Sequence, residues 1–181
     1  MLGGRRWRVR VGHGHAPEHG ALWAEDEPLI IGGDQLLPSI SANIGVYATE
    51  PAADPLGEWL ESCRAFQPLA NHAQLVLPGH KLPFTGLPFR LTQMIENHEG
   101  ALGRIEAVLA ARPRTACSLF PVLFKREIGA GEYGLALVEA VAHLNHLLAR
   151  GRVTREMGPD GAWLWCRAAA DATDGPRDSV P

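Results

Sequence analysis

Short apolar runs that end beside a metal-competent side chain occur three times in the first half of the chain. The runs at residues 7–11, 28–31 and 75–77 lead into Gly14-His15, Gly33-Asp34 and Gly79-His80. Apolar or alternating runs of this length predict β-strands. Because a strand that stops at the edge of a sheet delivers its last side chains to that edge, we expect His15, Asp34 and His80 to lie together there. Imidazole and carboxylate groups are ligands that suit zinc and neighbouring divalent metals.

Three further patterns predict local structure in the first hundred residues. The acidic turn Glu25-Asp26-Glu27 lies between apolar runs at 21–24 and 28–31, which predicts a β-hairpin. Asp54-Pro55 predicts the start of a helix, because proline is tolerated in the first helical turn. The run 75–77 is fully apolar, which predicts a strand buried on both faces.

The second half of the chain is predicted to be mostly helical. Apolar periodicity over 87–111 predicts a long helix that ends at Arg112-Pro113-Arg114. Thr115 is a predicted cap for a short helix through Leu123, which Pro121 bends or shortens.

The clearest helical pattern in the chain covers residues 131–150, and Gly151 is its predicted end. Its predicted buried stripe consists of Leu135, Val138, Ala142, Leu144 and Leu148.

A turn signal then follows at 158–161, flanked by predicted strands at 152–156 and 162–166. Helix, helix and hairpin in this order is typical of a winged helix. The chain as a whole is therefore predicted to be α/β.

Composition and charge narrow the class of protein. Of the 181 residues, 46% are hydrophobic and 20% are charged, as in a globular protein, and the net charge of −3 provides no field for nucleic acid or membrane. Cys63, Cys117 and Cys166 are isolated from one another, which argues against a disulfide scaffold or a thiolate metal site. No membrane span or secretory signal is recognisable, so a cytoplasmic location is expected by elimination.

The motifs together resemble those of a known family. The matching pieces are Gly14-His15-Ala16-Pro17-Glu18-His19, Gly33-Asp34-Gln35-Leu36-Leu37-Pro38, Ile40-Ser41-Ala42-Asn43, Asp54-Pro55-Leu56 and Leu77-Pro78-Gly79-His80. They are similar to the C-terminal part of a metallo-β-lactamase-fold hydrolase, of the glyoxalase II-like or lactamase-β-like branch. The resemblance extends to Arg167. It implies a partial αββα sandwich over residues 1–100 and a winged-helix-like domain over 101–167. Residues 168–181 have no apolar periodicity and are expected to form a disordered tail.

The resemblance also implies roles for individual residues. Asp34 corresponds to the carboxylate that bridges two divalent metals, usually zinc, and it is the expected catalytic ligand. His15 would bind one of these metals, and His80 would bind the other. His19 and His13 are expected to hold a ligand or the loop in place. Each assignment has an ordinary alternative, because a turn aspartate or a loop histidine can equally bind nothing. Glu18 either orients a ligand or faces solvent.

The family's first metal motif, H-x-H-x-D-H, is expected upstream of Gly12 and is not found in this chain. We therefore expect weak metal binding and little turnover from this chain alone, and strands between residues 7 and 31 with exposed apolar positions. A gene fragment, a mis-started reading frame or completion by another chain would each account for the missing motif.

Three functions stay open from the sequence. The first is a metal-dependent hydrolase that uses an activated water on a small thioester or ester. The second is a non-catalytic fragment that serves as a binding or assembly module, and the third is an RNA-cleaving hydrolase. The predicted winged helix carries few basic residues, diluted by acidic ones such as Glu139 and Glu156, so packing or substrate gating is favoured over nucleic-acid binding. The oligomeric state is not predicted.

Overall fold

A computed structural model describes residue 1 and residues 3–169 of the chain. The strands are β1 (Trp7–Gly12), β2 (His19–Ala24), β3 (Leu29–Gly33), β4 (Leu75–Pro78), β5 (Val153–Met157) and β6 (Trp163–Arg167). The helices are α1 (Pro55–Phe66), α2 (Leu87–Ala111), α3 (Phe120–Phe124) and α4 (Tyr133–Ala149), with short 3-10 turns at Gln67–Leu69, Cys117–Leu119 and Ala130–Glu132. The fold is α/β, as predicted.

The larger sheet has the order β1-β2-β3-β4. The first three strands are antiparallel neighbours, whereas β3 and β4 are parallel and are connected through α1. Strands β1, β3 and β4 therefore run in the same direction and end at the same edge of the sheet. This is the edge at which the sequence placed its three candidate ligands.

The acidic residues between β2 and β3 form the predicted turn, and they pair with arginines that precede or begin β1. Arg6 donates to Asp26 at 2.6 Å and Arg8 donates to Glu25 at 2.8 Å. These groups are exposed, so the pairs contribute little to stability. On the neighbouring positions Val9 is 58% and Val11 46% exposed. Apolar positions are therefore exposed on β1, as expected, but the strands between residues 7 and 31 do not lack partners, since β1 pairs with β2, β2 with β3 and β3 with β4.

Helix α1 begins where the sequence predicted. The Asp54 carboxylate accepts a hydrogen bond from the Gly57 amide at 2.9 Å, and Pro55 occupies the first turn. The same carboxylate accepts from His146 Nδ1 of α4 at 3.0 Å. The inward face of α1, with Leu56, Trp59, Leu60 and Cys63, is fully buried in the core. The cap thus starts the helix and also ties it to α4.

Helix α2 has the predicted bounds and runs through the predicted domain boundary at residues 100 and 101. It contacts α1 on one side and α3 and β6 on the other. Strands β5 and β6 form the predicted hairpin, and Arg114 pairs with Trp165 to attach the segment before α3 to it. The order of helix, helix and hairpin is therefore present, while the winged-helix assignment stays a prediction. Most of the predicted tail, residues 170–181, lies outside the described residues.

Three local predictions were wrong. The side chain of Thr115 caps no helix, and the Thr115 backbone carbonyl accepts a hydrogen bond from the Ser118 amide. Helix α3 begins only at Phe120, with Pro121 in its first turn. Leu75 is 40% exposed, because it lies at the first residue of an edge strand.

The third correction concerns the buried face of α4. Leu135 is 57% exposed, and the buried positions are Ala136, Ala140, Ala142, His143, Leu144, Asn145, His146 and Leu147. The prediction fails at Leu135, whereas Ala142 and Leu144 are buried as predicted and Val138 and Leu148 are partly buried. The buried face also includes polar residues, which bond to a loop inside the molecule. Asn145 donates to the carbonyls of Pro51 and Ala53 at 3.0 and 2.9 Å.

Among the described residues, no helix combines the length and apolar character that a bilayer crossing requires.

Replacing the cap of α1 tests how much this junction stabilises the fold. We expect Asp54→Ala to lower the free energy of unfolding by ~1–2 kcal/mol at neutral pH, because the Gly57 amide loses its acceptor and His146 its partner. Burial alone would raise the pKa of Asp54, but the hydrogen bonds from His146 and Gly57 outweigh it and lower the pKa below its usual value. A carboxylate with a lowered pKa stabilises the fold above its unfolded pKa, and that stability is lost as the pH falls through the folded value.

Urea unfolding at pH 7 and below pH 4 measures this difference. The gap between wild type and Asp54→Ala should shrink at the lower pH. Asp54→Asn is the matched control, since asparagine is also a good cap, and it should lose less stability than alanine at pH 7. Equal stability of all three proteins would contradict the assignment.

Candidate metal centre

The three candidate ligands meet at one edge of the larger sheet. Asp34 directly follows β3, His80 follows β4 by two residues, and His15 follows β1 by three. His15 Nε2 lies 3.5 Å from Asp34 Oδ2, and His80 Nε2 lies 3.6 Å from Asp34 Oδ1. Each carboxylate oxygen therefore faces a different imidazole, which is the arrangement that a bridging carboxylate requires. The expected convergence of these side chains is confirmed; their role as ligands stays a prediction.

The ring of His15 is held from behind by the backbone. Its Nδ1 donates to the carbonyl of Asn43 at 2.8 Å. Because a neutral imidazole has one N–H and one lone pair, this bond places the lone pair on Nε2, the atom that faces Asp34. A metal-binding histidine commonly donates its other nitrogen to a carbonyl or carboxylate in this way. His15 therefore has the tautomer that a ligand needs.

His19 supports Asp34 and does not point to a metal. Its Nε2 accepts a hydrogen bond from the Asp34 amide at 3.2 Å, so that lone pair is already used. The ring lies against Gly33, which has a φ of +51°, and a side chain at that position would collide with it. This placement supports the predicted role of His19 beside a ligand.

The packing and hydrogen bonding around Asp34 Oδ1 indicate whether a cation fits beside it. The Gly79 amide donates to the Gly33 carbonyl at 2.8 Å, and a Cβ on Gly79 would lie far inside van der Waals contact with Asp34 Oδ1. Within the described residues this buried oxygen accepts no hydrogen bond. A buried carboxylate oxygen without a donor is costly unless something positive meets it. The donor set and the unpaired oxygen therefore fit a divalent metal.

The remaining candidates from the sequence are structural or exposed. His13 uses its amide to donate to Ser62 Oγ at 2.9 Å, and its Nδ1 contacts the Pro17 carbonyl, so it stabilises the loop. Glu18 is exposed, and the His80 side chain is 66% exposed. In the part of the chain that the structure describes, no three His, Cys, Asp or Glu side chains are grouped to hold one metal ion. The centre thus consists of two ligand pairs that share Asp34.

A cavity of about 320 Å³ lies beside His15 and gives access to it. Its walls come from the loop after β1, from the segment 45–53 and from the start of α1, with Tyr47 and Glu58 among the lining residues. A small molecule could therefore reach the His15 side of the centre.

Sequence reasoning missed two residues that reach the site from a distance. Asn43 donates its side-chain amide to Glu139 Oε2 of α4 at 3.0 Å, and its carbonyl is the acceptor of His15. Burial raises the pKa of Glu139 to about 7, against the opposing effect of the Asn43 hydrogen bond. One local signal was available: Glu139 is the only acidic or basic residue, histidines apart, between Tyr133 and Ala149. A lone carboxylate in such a helix indicates an internal partner.

Comparison with known proteins shows similarity to metallo-β-lactamase-like proteins. Residues 102–168 match the family described as "Metallo-beta-lactamase-like, C-terminal domain". The chain is 28% identical over 155 residues to "Probable metallo-hydrolase YqjP" of Bacillus subtilis (strain 168), covering 82% of this chain and 46% of that protein.

Two solved structures are similar over nearly the whole chain. A beta-lactamase domain protein from Burkholderia ambifaria superposes with a TM-score of 0.88 at 40% identity, covering 93% of this chain and 50% of that one. The metallo-beta-lactamase family protein TTHA1429 from Thermus thermophilus superposes with a TM-score of 0.78 at 31% identity, covering 92% and 51%. The chain spans about half the length of these relatives.

The space that Gly79 leaves for Asp34 can be tested by filling it. We expect Gly79→Ala to weaken zinc binding by about 10- to 100-fold, because the added methyl group displaces the shared carboxylate. Gly103→Ala is the matched control, since a Cβ there meets nothing within 4 Å on the exposed side of α2. Isothermal titration with Zn²⁺ measures the affinity, and circular dichroism checks the fold. Unchanged zinc affinity in a folded Gly79→Ala protein would show that Asp34 does not bind the metal.

Proposed function

We infer that this chain, which is metallo-β-lactamase-like in fold and family, supplies part of the active centre of a metal-dependent hydrolase. The observation that carries the proposal is the shared carboxylate: the two oxygens of Asp34 each face one imidazole, His15 or His80. The names of the relatives agree, since one is a probable metallo-hydrolase and one a metallo-beta-lactamase family protein.

The residues of this chain divide the work of holding such a centre. A pair of divalent metals, when bound, supplies a water of lowered pKa and Lewis acidity for the scissile bond. Asp34 is the carboxylate shared by both positions, His15 presents Nε2 at one of them, and His80 presents Nε2 at the other. His19 fixes the backbone of Asp34, and Asn43 fixes the ring of His15. Zinc suits this donor set best in our proposal, although imidazole and carboxylate also accept iron or manganese.

Two protein ligands at each metal position fall short of the three that catalytic zinc sites usually have. We therefore propose that the 181-residue chain alone binds metal weakly and turns over little substrate, and that further ligands join it in the active form. The same shortfall favours a second candidate function, a non-catalytic module whose centre serves binding or assembly.

The substrate proposed for the complete centre is a small thioester or ester, as in the glyoxalase II-like branch. The cavity of about 320 Å³ beside His15 supports a small molecule. A winged-helix role for the segment after residue 100 is supported by the order of α3, α4, β5 and β6. RNA is a less favoured substrate because the net charge is −3. A cytoplasmic location is proposed from composition.

Metal content and affinity of the purified chain test the proposal. After dialysis against metal-free buffer we expect much less than two zinc ions per chain by elemental analysis. Titration should then show weak binding that Asp34→Asn reduces most, because both metal positions share this carboxylate, with smaller losses for His15→Ala and His80→Ala. Hydrolysis of a model thioester should be close to the uncatalysed rate.

Two outcomes would contradict this reading. Two tightly held zinc ions after dialysis would show that the four ligand contacts suffice. Equal zinc affinity in wild type and Asp34→Asn would show that the metal binds elsewhere. The matched control is Asp160→Asn, which changes the same functional group at an exposed turn far along the chain.

A further inference from the structure

A continuous line of hydrogen bonds joins the candidate metal ligand His15 to the middle of α4. His15 Nδ1 donates to the Asn43 carbonyl at 2.8 Å. The side-chain amide of Asn43 then donates to Glu139 Oε2 at 3.0 Å and to the Leu135 carbonyl at 3.2 Å. Because both partners of the amide nitrogen are acceptors, the orientation of the Asn43 side chain is unambiguous. The two bonds of the Asn43 amide therefore connect it to residues that lie 92 and 96 positions further along the sequence.

The segment that carries Asn43 rests on α4 at further points. The Val46 amide donates to the Val138 carbonyl at 3.1 Å. Gly45 lies so close to Val138 that a Cβ there would be 2.7 Å from its Cγ2 atom. Val138 and Glu139 are adjacent, so backbone and side-chain contacts hold the same stretch of loop. The position of the Asn43 carbonyl, and with it the direction of the His15 ring, is therefore set by α4.

Glu139 is unlike the other carboxylates of this half of the chain. Glu132 is exposed and pairs with Arg126 at 2.6 Å, and Glu127 is exposed with no side-chain bond among the described residues. Glu139 instead lines a cavity of about 480 Å³, and the described hydrogen-bond partner of its side chain is Asn43. Placing a carboxylate in such surroundings costs free energy, so its contact has a use beyond solubility.

We propose that Glu139, acting through Asn43, is a positioning residue for His15: it holds the Asn43 carbonyl where it keeps His15 in the Nδ1–H tautomer with Nε2 directed at the metal position. This proposal rests on the proposed function for the ligand role of His15. The tautomer itself does not depend on that role, so the two ideas can fail separately. The helix after residue 132 thus contributes to the metal centre without touching a metal.

The tautomer is measured first, on the metal-free chain at pH 8. Long-range ¹⁵N–¹H correlation spectra distinguish the two neutral forms of a histidine ring, and the His15 signals are those absent from His15→Ala. We expect the Nδ1–H form to dominate in wild type. In Glu139→Ala we expect a mixture of both forms, because the Asn43 side chain keeps only the Leu135 carbonyl as an acceptor and the Asn43 carbonyl is held less firmly. Glu139→Gln retains an acceptor oxygen for Asn43 and should restore the single form, and Glu127→Ala should behave as wild type.

Affinity for Co²⁺, which serves as a spectroscopic substitute for zinc, is measured next against a competing chelator. We expect about tenfold or greater weakening in Glu139→Ala, recovery to within about threefold of wild type in Glu139→Gln, and no change in Glu127→Ala. The visible absorption of bound Co²⁺ should change in the alanine variant because the His15 ring is no longer aligned. A generally destabilised protein would not show recovery by glutamine.

A second variant, Asn43→Ala, tests the same proposal if Glu139→Ala does not fold. Asn43→Ala keeps the backbone carbonyl but removes the side-chain bonds to Glu139 and Leu135, and it should loosen the His15 tautomer at least as much as Glu139→Ala. The double variant should lose no more Co²⁺ affinity than Asn43→Ala alone, because Glu139 acts through the Asn43 side chain.

A single His15 tautomer in both Asn43→Ala and Glu139→Ala would overturn the positioning role. If wild type and His15→Ala bind Co²⁺ equally, the proposed metal site fails instead, and the tautomer measurement alone decides the role of Glu139.

Discussion

The parallel pairing of β3 with β4 is the constraint on which the candidate centre depends. Parallel neighbours end at the same edge, and here the last bond of the pair, from the Gly79 amide to the Gly33 carbonyl at 2.8 Å, sets Asp34 beside His80. A parallel pair needs a crossover connection, which α1 provides. The cap of α1 at Asp54 also bonds to α4, so the element that makes the crossover possible is joined to the second half of the chain.

The surroundings of Asp34 leave one of its carboxylate oxygens without a hydrogen-bond donor among the described residues. Two of the buried polar atoms without a hydrogen-bond partner in the described part of the chain belong to this edge, Asp34 Oδ1 and His19 Nδ1. Each such atom costs about 1–3 kcal/mol when it is left unpaired. Gly33 and Gly79 are needed because any side chain at either position would displace a ring or a carboxylate. At this edge of the sheet, two positions are restricted to glycine and buried polar atoms lack hydrogen-bond partners, while one carboxylate oxygen of Asp34 stays unpaired.

The two halves of the molecule are less separate than the change from strands to helices indicates. Helix α2 crosses the predicted boundary without a break, and α4 bonds to the loop that carries Asn43 and to the cap of α1. Removing or moving α4 would release the segment 43–54, which walls the cavity beside His15. Any function of the centre is thereby linked to the packing of a helix that provides none of its candidate ligands.

Local pattern was enough for much of this protein. The bounds of α2, the start of α1 at Asp54, the strands of both sheets and the meeting of His15, Asp34 and His80 followed from apolar periodicity, from proline and glycine positions, and from the rule that strands end at edges. These features depend on neighbours within a few residues or on general geometry. Tertiary structure alone decided that polar residues share the buried face of α4, that Leu135 is exposed and what Glu139 contacts. Those outcomes depend on hydrogen bonds between residues more than ninety positions apart, and no local period encodes such a contact.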